Sequence, residues 1–228
     1  MHKNKTFLGI IPARGGSKRL PKKNILKLNG KPLITWSIEA GLKSAYIDKL
    51  IVSSDNDEIL NIANNHPIDT LRRPNELADD KTSSFETIKH VIDNSVKYDY
   101  VVMLQATSPL RNHKHIDKAI ELLEEKNADA IISVCEVNHN PLWSNIIDDS
   151  LSLKGFLKDD VLNKRSQDLE KYYQLNGAIY ICKISKFIEE KGFFLKDNIY
   201  AFKMDRGSSI DIDERIDLKI AEALIENS

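Results

Sequence analysis

A basic, glycine-containing segment spans residues 12–24, directly after a short apolar run. Its two adjacent glycines allow backbone N–H groups to approach an anion closely, and Arg14, Lys18 and Lys23 can neutralise a polyphosphate. The segment has neither the spacing of a Walker A loop nor that of the G-x-G-x-x-G motif. A solvated basic loop is the alternative interpretation, but the position after a predicted strand favours a phosphate-binding loop.

An acidic pair lies near the other end of the chain, in the pattern Ser-Ile-Asp-Ile-Asp at residues 209–213. On an extended strand, residues two apart point to the same face, so Asp211 and Asp213 would face one way and the isoleucines would face the core. Two close carboxylates repel each other unless a cation lies between them, and Mg²⁺ binds one or two carboxylates together with phosphate oxygens. The pattern predicts a Mg²⁺ site, with a turn that caps the last helix as the alternative.

Further polar segments follow other predicted strands. Residues 105–111 (Gln-Ala-Thr-Ser-Pro-Leu-Arg) should open onto the same crevice as the basic loop, and Gln105 offers donors and acceptors for a hydroxylated substrate. A helix-capping turn at Thr107 or Ser108 is compatible with that role. Residues 72–74 and 80–84 form a polar loop suited to a base or a ribose. The six histidines lack metal-ligand spacing and receive no chemical role.

Strands and helices alternate along the chain and would position these segments. Apolar runs predict strands at residues 7–12, 49–53, 100–104, 130–135, 177–182 and 200–204. Periodic stretches predict helices at residues 32–44, after a cap at Asp55, from a cap at Thr82 or Ser83 to Val96, and at 113–126, 185–190 and 214–226. This order predicts an α/β fold with a largely parallel sheet covered by helices on both faces. Residues 138–174 lack the alternation and form either a flexible excursion or an arm that packs on a second subunit.

Composition limits the class of protein. The chain has 228 residues and a formal net charge of -1, so it has no bulk attraction to nucleic acid or to a membrane surface, and an anion site must be local. No linker composition divides residues 1–228, which predicts a single domain. The first apolar stretch is too short for a signal peptide or a spanning helix, so we expect a cytoplasmic protein. Cys135 and Cys182 lie in apolar runs and are expected to be buried free thiols.

Taken in order, these motifs resemble those of the CMP-sialic acid synthetases, the acylneuraminate cytidylyltransferases. Each motif is modestly specific, whereas the ordered set is highly specific and spans nearly the whole chain. The motifs that carry the resemblance are Arg14-Gly15-Gly16-Ser17-Lys18 with Leu20-Pro21 and Lys23-Asn24, Arg73-Pro74, residues 105–111, Arg165-Ser166-Gln167-Asp168, residues 176–180, Phe193-Phe194 and residues 209–213.

The resemblance implies a fold and an activity. The fold is a Rossmann-like α/β nucleotidyltransferase fold with an extended arm, residues 138–174, that makes a homodimer. The activity is transfer of CMP from CTP to the anomeric hydroxyl of a nonulosonic acid, with Mg²⁺ as cofactor and pyrophosphate as leaving group. N-acetylneuraminate is the first expectation, and legionaminic or pseudaminic acid is the alternative. A nucleotide-binding protein without catalysis is a further alternative.

The resemblance also assigns residues. It implies catalytic roles for Arg14, Lys23 and Asp211, and metal binding by Asp211 and Asp213. It implies CTP binding by Ala13, Arg14, Gly15, Ser17, Lys18, Lys23, Asn24, Arg73, Thr82 and Ser84. It implies sugar binding by Gln105, Thr107, Ser108, Asn176, Tyr180, Phe193 and Phe194, and by Arg165 and Gln167 of the arm. Composition alone favours a place in the core for Phe193 and Phe194.

Two positions depart from the family pattern. Arg19 stands where many family members have glycine, which adds a charge to the basic loop. Trp143 follows Pro141-Leu142, where some sialic acid enzymes have a lysine near the sugar, so the identity of the sugar stays open. Some family members carry a second, hydrolase-like domain, and we expect none in these 228 residues.

Overall fold

A seven-stranded sheet forms the centre of the computed structural model, which describes residues 4–79 and 82–226. The strands are β1 (Phe7–Pro12), β2 (Lys27–Leu28), β3 (Lys31–Pro32), β4 (Lys49–Ser54), β5 (Asp69–Arg72), β6 (Tyr100–Met103), β7 (Ala130–Glu136), β8 (Tyr173–Lys183) and β9 (Ile199–Met204). The helices are α1 (Leu33–Lys43), α2 (Asp57–Ala63), α3 (Ser84–Asp93), α4 (His113–Glu125), α5 (Ile184–Glu190) and α6 (Arg215–Glu226). β2 and β3 pair with each other as a separate small hairpin.

The strand order of the sheet is β5-β4-β1-β6-β8-β7-β9. β1 pairs in parallel with β4 and β6, β5 pairs in parallel with β4, and β9 pairs in parallel with β7. Only β8 runs antiparallel to both of its neighbours in the part of the chain that is described. The prediction of an α/β fold with a mostly parallel sheet is therefore confirmed.

Apolar side chains cover both faces of the sheet because successive residues of a strand point to opposite sides. Phe7 and Ile11 of β1 belong to a cluster that includes residues of α1 and α4. Leu8 and Ile10 belong to a second cluster, on the other face, that includes residues of α3 and α5. The continuous apolar run of β1 is thus explained by burial on two sides.

The order of the strands reverses beside β1. The chain passes from β1 to β4 and β5 on one side, and then returns to β6 on the other side. The connections that leave the carboxyl ends of β1 and β6 therefore diverge and leave a crevice between them. Such a switch point is the usual ligand site of an open α/β sheet.

β8 is longer than the predicted strand and contains an irregularity. On β7, Ile132 pairs with Tyr180 and Val134 pairs with Leu175, so four residues of β8 lie opposite Ser133. The Ser133 hydroxyl donates to Asn176 Oδ1 at 2.6 Å and accepts from the backbone N–H of Ile179 at 2.8 Å. Because β8 is antiparallel to β6, this bulge lies at the crevice end of the sheet.

Several predicted boundaries are corrected by the structure. Asn56, not Asp55, caps α2, because the Asn56 Oδ1 accepts the backbone N–H of Ile59 at 3.1 Å. Ser83 caps α3, which ends at Asp93 and not at Val96. The polar edge strand β5 is missing from the sequence-based prediction.

The proposed arm contains little regular structure. Its short 3-10 turns are Pro141–Trp143 and Ser166–Asp168, and the stretch between them has no helix or strand. Ile146 is 91% exposed and Leu151 is 77% exposed. A role in dimerisation stays a prediction. Among the described helices, none combines the length and the apolar character needed to cross a bilayer. Cys135 and Cys182 are buried and unpaired, as predicted.

Candidate active site

The basic loop leaves the end of β1 and is fixed by the residues that follow β4. The backbone N–H of Gly15 donates to Asp55 Oδ1 at 3.0 Å, which is the role that Asp55 has instead of capping α2. A Cβ atom at Gly15 would lie 2.9 Å from side-chain atoms of Asn56, so only glycine fits this approach. The buried Asn24 closes the loop by donating its amide to the Arg14 carbonyl at 2.9 Å. The N–H of Ala13 bonds to the Ser53 carbonyl.

Apolar residues bring the basic loop to the acidic pair. Leu20 of the loop and Ile212, which lies between the two aspartates, belong to one small buried cluster with Leu28, Leu33 and Ala221. The backbone N–H of Ile212 donates to the carbonyl of Thr107 at 2.8 Å. Three segments that follow β1, β6 and β9 are joined at this point.

The segment of the acidic pair does not form the strand that was assumed for it in the sequence. Ile212 is nevertheless fully buried, and Asp211 and Asp213 both line the same cavity, as their spacing predicted. The local alternation is enough to separate the apolar side chain from the two carboxylates. The side chain of Asp213 does not cap the last helix, because both of its carboxylate oxygens accept hydrogen bonds from cations of the basic loop.

The crevice consists of two adjoining cavities. The first has a volume of about 510 Å³ and is lined by the predicted residues Arg14, Ser17, Lys18, Lys23, Asn24, Ser84, Gln105, Thr107, Asp211 and Asp213. The second has a volume of about 280 Å³ and is lined by the predicted residues Arg14, Arg73, Thr82 and Ser84. Both cavities share Pro12, Arg14 and Ser84, so they form one continuous cleft at the switch point of the sheet.

The two aspartates have opposite electrostatic environments. The Lys23 Nζ lies 2.8 Å from Asp213 Oδ1, and the Arg19 Nη1 lies 2.7 Å from Asp213 Oδ2. Lys23, with a smaller contribution from Arg19, lowers the pKa of Asp213 below its ordinary value. Asp211 is open to the cavity but otherwise surrounded by protein, and this loss of solvation raises its pKa, against an opposing hydrogen bond from Thr107. Carboxylates separated in this way are suited to different roles, and Asp211 is the better proton acceptor.

Arg73 is a buried cation at the second cavity. Its Nη2 donates to the Ser53 carbonyl at 2.9 Å, while its Nε has no hydrogen-bond partner among the described residues. Burial lowers the pKa of Arg73, Asp55 partly opposes this shift, and Arg14 adds to it. A buried cation that lacks a carboxylate within hydrogen-bond distance in the described chain can accept an anionic or carbonyl group of a ligand.

Gln105 and Gly177 meet at the wall of the first cavity. Gly177 has φ +72°, and a Cβ atom there would lie 2.7 Å from Gln105 Oε1 and 3.7 Å from Asp211 Oδ2. The neighbouring Asn176 is buried, and its amide donates to Ser209 Oγ at 2.9 Å. Asn176 also lines a third cavity, of about 780 Å³, which Asp211 connects to the first.

Aromatic residues of the predicted sugar side lie mostly behind the cleft. Tyr180 and Phe193 have ring centroids 5.5 Å apart, and Phe193 packs on Phe187 at 4.8 Å. Burial raises the pKa of Tyr180, and the negative charge of Asp211 adds to that shift. Phe193 is therefore a core residue, as composition favoured, whereas Phe194 is 60% exposed.

Other predicted residues lie outside the cleft. Ser108 is fully buried, so its hydroxyl is not accessible to a ligand in this conformation. Arg165 and Gln167 are exposed in the arm, and Gln167 lines a separate cavity of about 270 Å³. Sugar binding by these three residues stays a prediction. Asp80 and Lys81 of the predicted base or ribose loop lie outside the described residues.

Four residues of the site were not predicted. Asp55 holds the basic loop, Arg19 contacts Asp213, and Asp79 lines the second cavity and accepts the Thr82 hydroxyl at 2.7 Å. Arg111 is fully buried and donates to Ser37 Oγ at 2.7 Å, and burial lowers its pKa to about 9, so it stays charged. Arg111 and Ser37 both reach the Gln105 carbonyl, which fixes that backbone. Arg19 and Arg111 lie in segments that the sequence pattern singled out, and Asp55 was predicted only as a helix cap.

The acidic pair fits a divalent cation by its donor chemistry. The described residues contain no group of three or more His, Cys, Asp or Glu side chains that could hold a metal ion. The chain therefore offers the two carboxylates of Asp211 and Asp213 beside the cations of the basic loop. Mg²⁺ is typically bound by one or two carboxylates, with phosphate oxygens and water as the remaining ligands.

Comparison with known proteins identifies the family. The family model described as Cytidylyltransferase matches residues 8–227. The chain belongs to the cytidylyltransferase family. The resemblance drawn from the motifs is thereby confirmed.

Curated members of the family are similar over nearly the whole chain. This chain is 39% identical to the N-acylneuraminate cytidylyltransferase of Escherichia coli O18:K1:H7, and the match covers 94% of this chain and 51% of the relative. It is 34% identical to the CMP-N,N'-diacetyllegionaminic acid synthase of Legionella pneumophila, over 96% of each protein. The chain thus spans about half the length of the N-acylneuraminate cytidylyltransferases from E. coli and Streptococcus agalactiae.

A solved structure shares the fold of this cytidylyltransferase family member. CMP:2-keto-3-deoxy-manno-octonic acid synthetase complexed with CTP superposes with a TM-score of 0.73 at 18% identity, covering 97% of this chain and 99% of the other. The predicted Rossmann-like nucleotidyltransferase fold is confirmed by this similarity.

Proposed function

We propose that the chain transfers CMP from CTP to the anomeric hydroxyl of a nonulosonic acid and releases pyrophosphate. The observation that carries the proposal is the meeting of the basic loop and the acidic pair in one cavity, although Lys23 and Asp213 are 190 residues apart in sequence. Curated relatives are named as cytidylyltransferases or CMP-sugar synthases acting on three such acids, N-acylneuraminate, N,N'-diacetyllegionaminic acid and pseudaminic acid.

The two cavities suit the two ends of CTP. The triphosphate would lie in the first cavity, where Arg14, Lys18 and Lys23 are gathered. The cytosine and ribose would lie in the second cavity beside Arg73 and Thr82. Arg14 lines both cavities and would therefore contact the phosphates closest to the ribose. In this arrangement the α-phosphate would lie near the junction of the cavities.

We propose that Asp211 and Asp213 hold Mg²⁺, which would polarise the phosphate under attack. The chain's own residues supply the remaining steps. Asp211 would accept the proton of the attacking hydroxyl, because its carboxylate lies between the first cavity and the third, where the acid would bind. Arg14 and Lys23 would stabilise the negative charge that grows on the phosphates and on the departing pyrophosphate. Gln105 and Asn176 would orient the sugar acid at the cavity wall.

The acceptor is proposed to be N-acetylneuraminate, because the E. coli relative at 39% identity is named for N-acylneuraminate. The same reaction on legionaminic acid is the second candidate, since the Legionella relative matches over its full length, with 96% of each chain covered. All these acids share the carboxylate and the anomeric centre, so the reacting geometry is the same for each.

We further propose a cytoplasmic homodimer. Exposed apolar side chains on the arm, with Ile146 at 91% and Leu153 at 62% exposure, support an interface formed by residues 138–174. Arg165 and Gln167 would then act at the cleft of the partner. The unpaired thiols Cys135 and Cys182 are compatible with a reducing compartment. A monomeric mass in light scattering would refute the dimer and the shared site.

The activity is tested by measuring pyrophosphate release from CTP with a panel of nonulosonic acids, and with UTP or GTP in place of CTP. Asp211→Asn should lower turnover by about 10²-fold or more without unfolding the protein. Asp197→Asn is the matched control, because Asp197 is exposed and lies outside the cleft lining. Near-normal activity of Asp211→Asn would contradict the assignment, and release without any sugar acid would contradict the acceptor class.

A further inference from the structure

Both oxygens of the Asp213 carboxylate accept from cations of the basic loop. Lys23 holds Oδ1 at 2.8 Å and Arg19 holds Oδ2 at 2.7 Å. The two cations differ in accessibility, since the side chain of Lys23 is 14% exposed and that of Arg19 is 71% exposed.

These contacts conflict with a divalent cation on Asp213. A metal ion would approach the oxygens that Arg19 and Lys23 occupy, and like charges at such distances repel each other. A metal ion on Asp213 therefore favours the release of one of these two cations. The triphosphate site offers a destination, because Arg19 and Lys23 both line the cavity that contains Arg14 and Lys18.

We propose that Arg19 is an exchangeable partner of Asp213, which neutralises this carboxylate in the nucleotide-free protein and moves to the phosphates of the nucleotide when a metal ion takes its place. The proposal rests on the proposed function of the cleft. Arg19 is the group that moves because an exposed ion pair contributes little free energy and is released at small cost. Lys23 stays, because its side chain is largely buried.

The exchange has two opposite consequences for binding. In the absence of nucleotide, Arg19 competes with the metal ion, so it weakens metal binding. In the absence of metal, Arg19 either neutralises Asp213 at the cavity or reaches the phosphates, and in both places its charge strengthens nucleotide binding. A nucleotide that draws Arg19 away from Asp213 raises the affinity for the metal ion. By linkage, this factor equals the factor by which the metal ion raises the affinity for the nucleotide. Substitution of a residue that only supports the loop would not strengthen metal binding and at the same time weaken nucleotide binding.

The experiment measures each ligand alone. Mn²⁺ binding to the nucleotide-free protein is followed by the electron paramagnetic resonance signal of free Mn²⁺, and CTP binding is followed by calorimetry in EDTA. Arg19→Gln should bind Mn²⁺ roughly two- to five-fold more tightly and CTP roughly two- to five-fold more weakly than the wild type, the range for an exposed ion pair. Arg19→Lys should lie near the wild type in both.

Lys22→Gln is the matched control. It removes one positive charge from the same loop, but the Lys22 ammonium pairs with Glu58 at 3.0 Å and not with Asp213. Any change it shares with Arg19→Gln reports the general charge of the loop. The proposal is overturned if Arg19→Gln binds Mn²⁺ no more tightly than Lys22→Gln, if it binds CTP in EDTA as tightly as the wild type, or if none of the proteins binds Mn²⁺. Pyrophosphate release in the wild type tests the proposed function separately.

Discussion

Replacing Gly177 with alanine tests how the bulge of β8 shapes the cleft. Gly177 has φ +72°, a conformation that side chains with a Cβ atom rarely adopt, and the added Cβ would lie 2.7 Å from Gln105 Oε1. The substitution therefore strains the backbone at residue 177 and displaces the side chain of Gln105. Gln105 lines the first cavity.

The cost follows from two terms. A left-handed backbone costs about 1–2 kcal/mol for a residue other than glycine. The contact at 2.7 Å involves the far end of a flexible side chain, so Gln105 can rotate away at a cost of about 0.5–1.5 kcal/mol for leaving its rotamer. Gly177→Ala should therefore lower the free energy of unfolding by about 1.5–3.5 kcal/mol. It should also raise the KM for the sugar acid, because the Gln105 amide leaves its place.

A double-mutant cycle in urea separates the two terms. In a Gln105→Ala background the clash is absent, so Gly177→Ala should cost only the backbone term of about 1–2 kcal/mol. The coupling energy should be about 0.5–1.5 kcal/mol, within the range measured for residues in contact. Gly16→Ala is the control, since no described atom lies within 4 Å of a Cβ atom there. A cost below about 0.5 kcal/mol for Gly177→Ala, or a coupling of zero, would refute the reasoning.

Three further predictions concern the same cleft. Gly15→Ala should cost about 1–3 kcal/mol in urea unfolding and raise the KM for CTP, because its Cβ would meet Asn56 at 2.9 Å, whereas Gly16→Ala should leave the free energy of unfolding unchanged. Asp211→Asn should have a higher free energy of unfolding in urea than the wild type at pH 7, because the raised pKa of Asp211 means that its ionised form destabilises the folded state. This difference in free energy should shrink as the pH falls towards 3.8, where the carboxylate becomes protonated. Ser83→Ala should lower the free energy of unfolding by about 0.5–2 kcal/mol through loss of the capping box on α3, and an unchanged urea midpoint would contradict that contribution.

Local signals in the sequence predicted most of the elements that carry the cleft. The apolar run at residues 7–12 coincides with β1, and the glycine-rich turn after it leaves the sheet at the switch point. Neighbours along the chain determine these features, because burial on two faces requires a continuous apolar run. The alternation around Asp211 and Asp213 is equally local, and it placed both carboxylates in one cavity even though the segment is not a strand.

Features that depend on distant partners were not predictable in this way. The direction of β8 follows from its pairing with β6 and β7, which a single apolar run does not encode. Asp55 has the residue type and position of a helix cap, yet its Oδ1 accepts a hydrogen bond from the backbone N–H of Gly15, 40 residues away. The edge strand β5 is polar because it has one neighbour and is largely solvated, so it lacks the pattern of a core strand.

The net charge of -1 is the sum of positive and negative clusters that lie far apart in the sequence. The fold brings two of these clusters, the basic loop and the acidic pair, together. Lys23 and Asp213 meet because the apolar residues beside them, Leu20 and Ile212, pack in one cluster with Ala221 of α6. An ion pair that is partly open to solvent contributes too little to assemble such a site, whereas burial of the Leu20 and Ile212 side chains contributes roughly 1.5–3 kcal/mol each. The cluster is separate from the two clusters that cover the central sheet. The integrity of the cleft should therefore follow the docking of α6 on the basic loop, and a local opening of α6 would separate the carboxylates from the cations while the sheet remains folded.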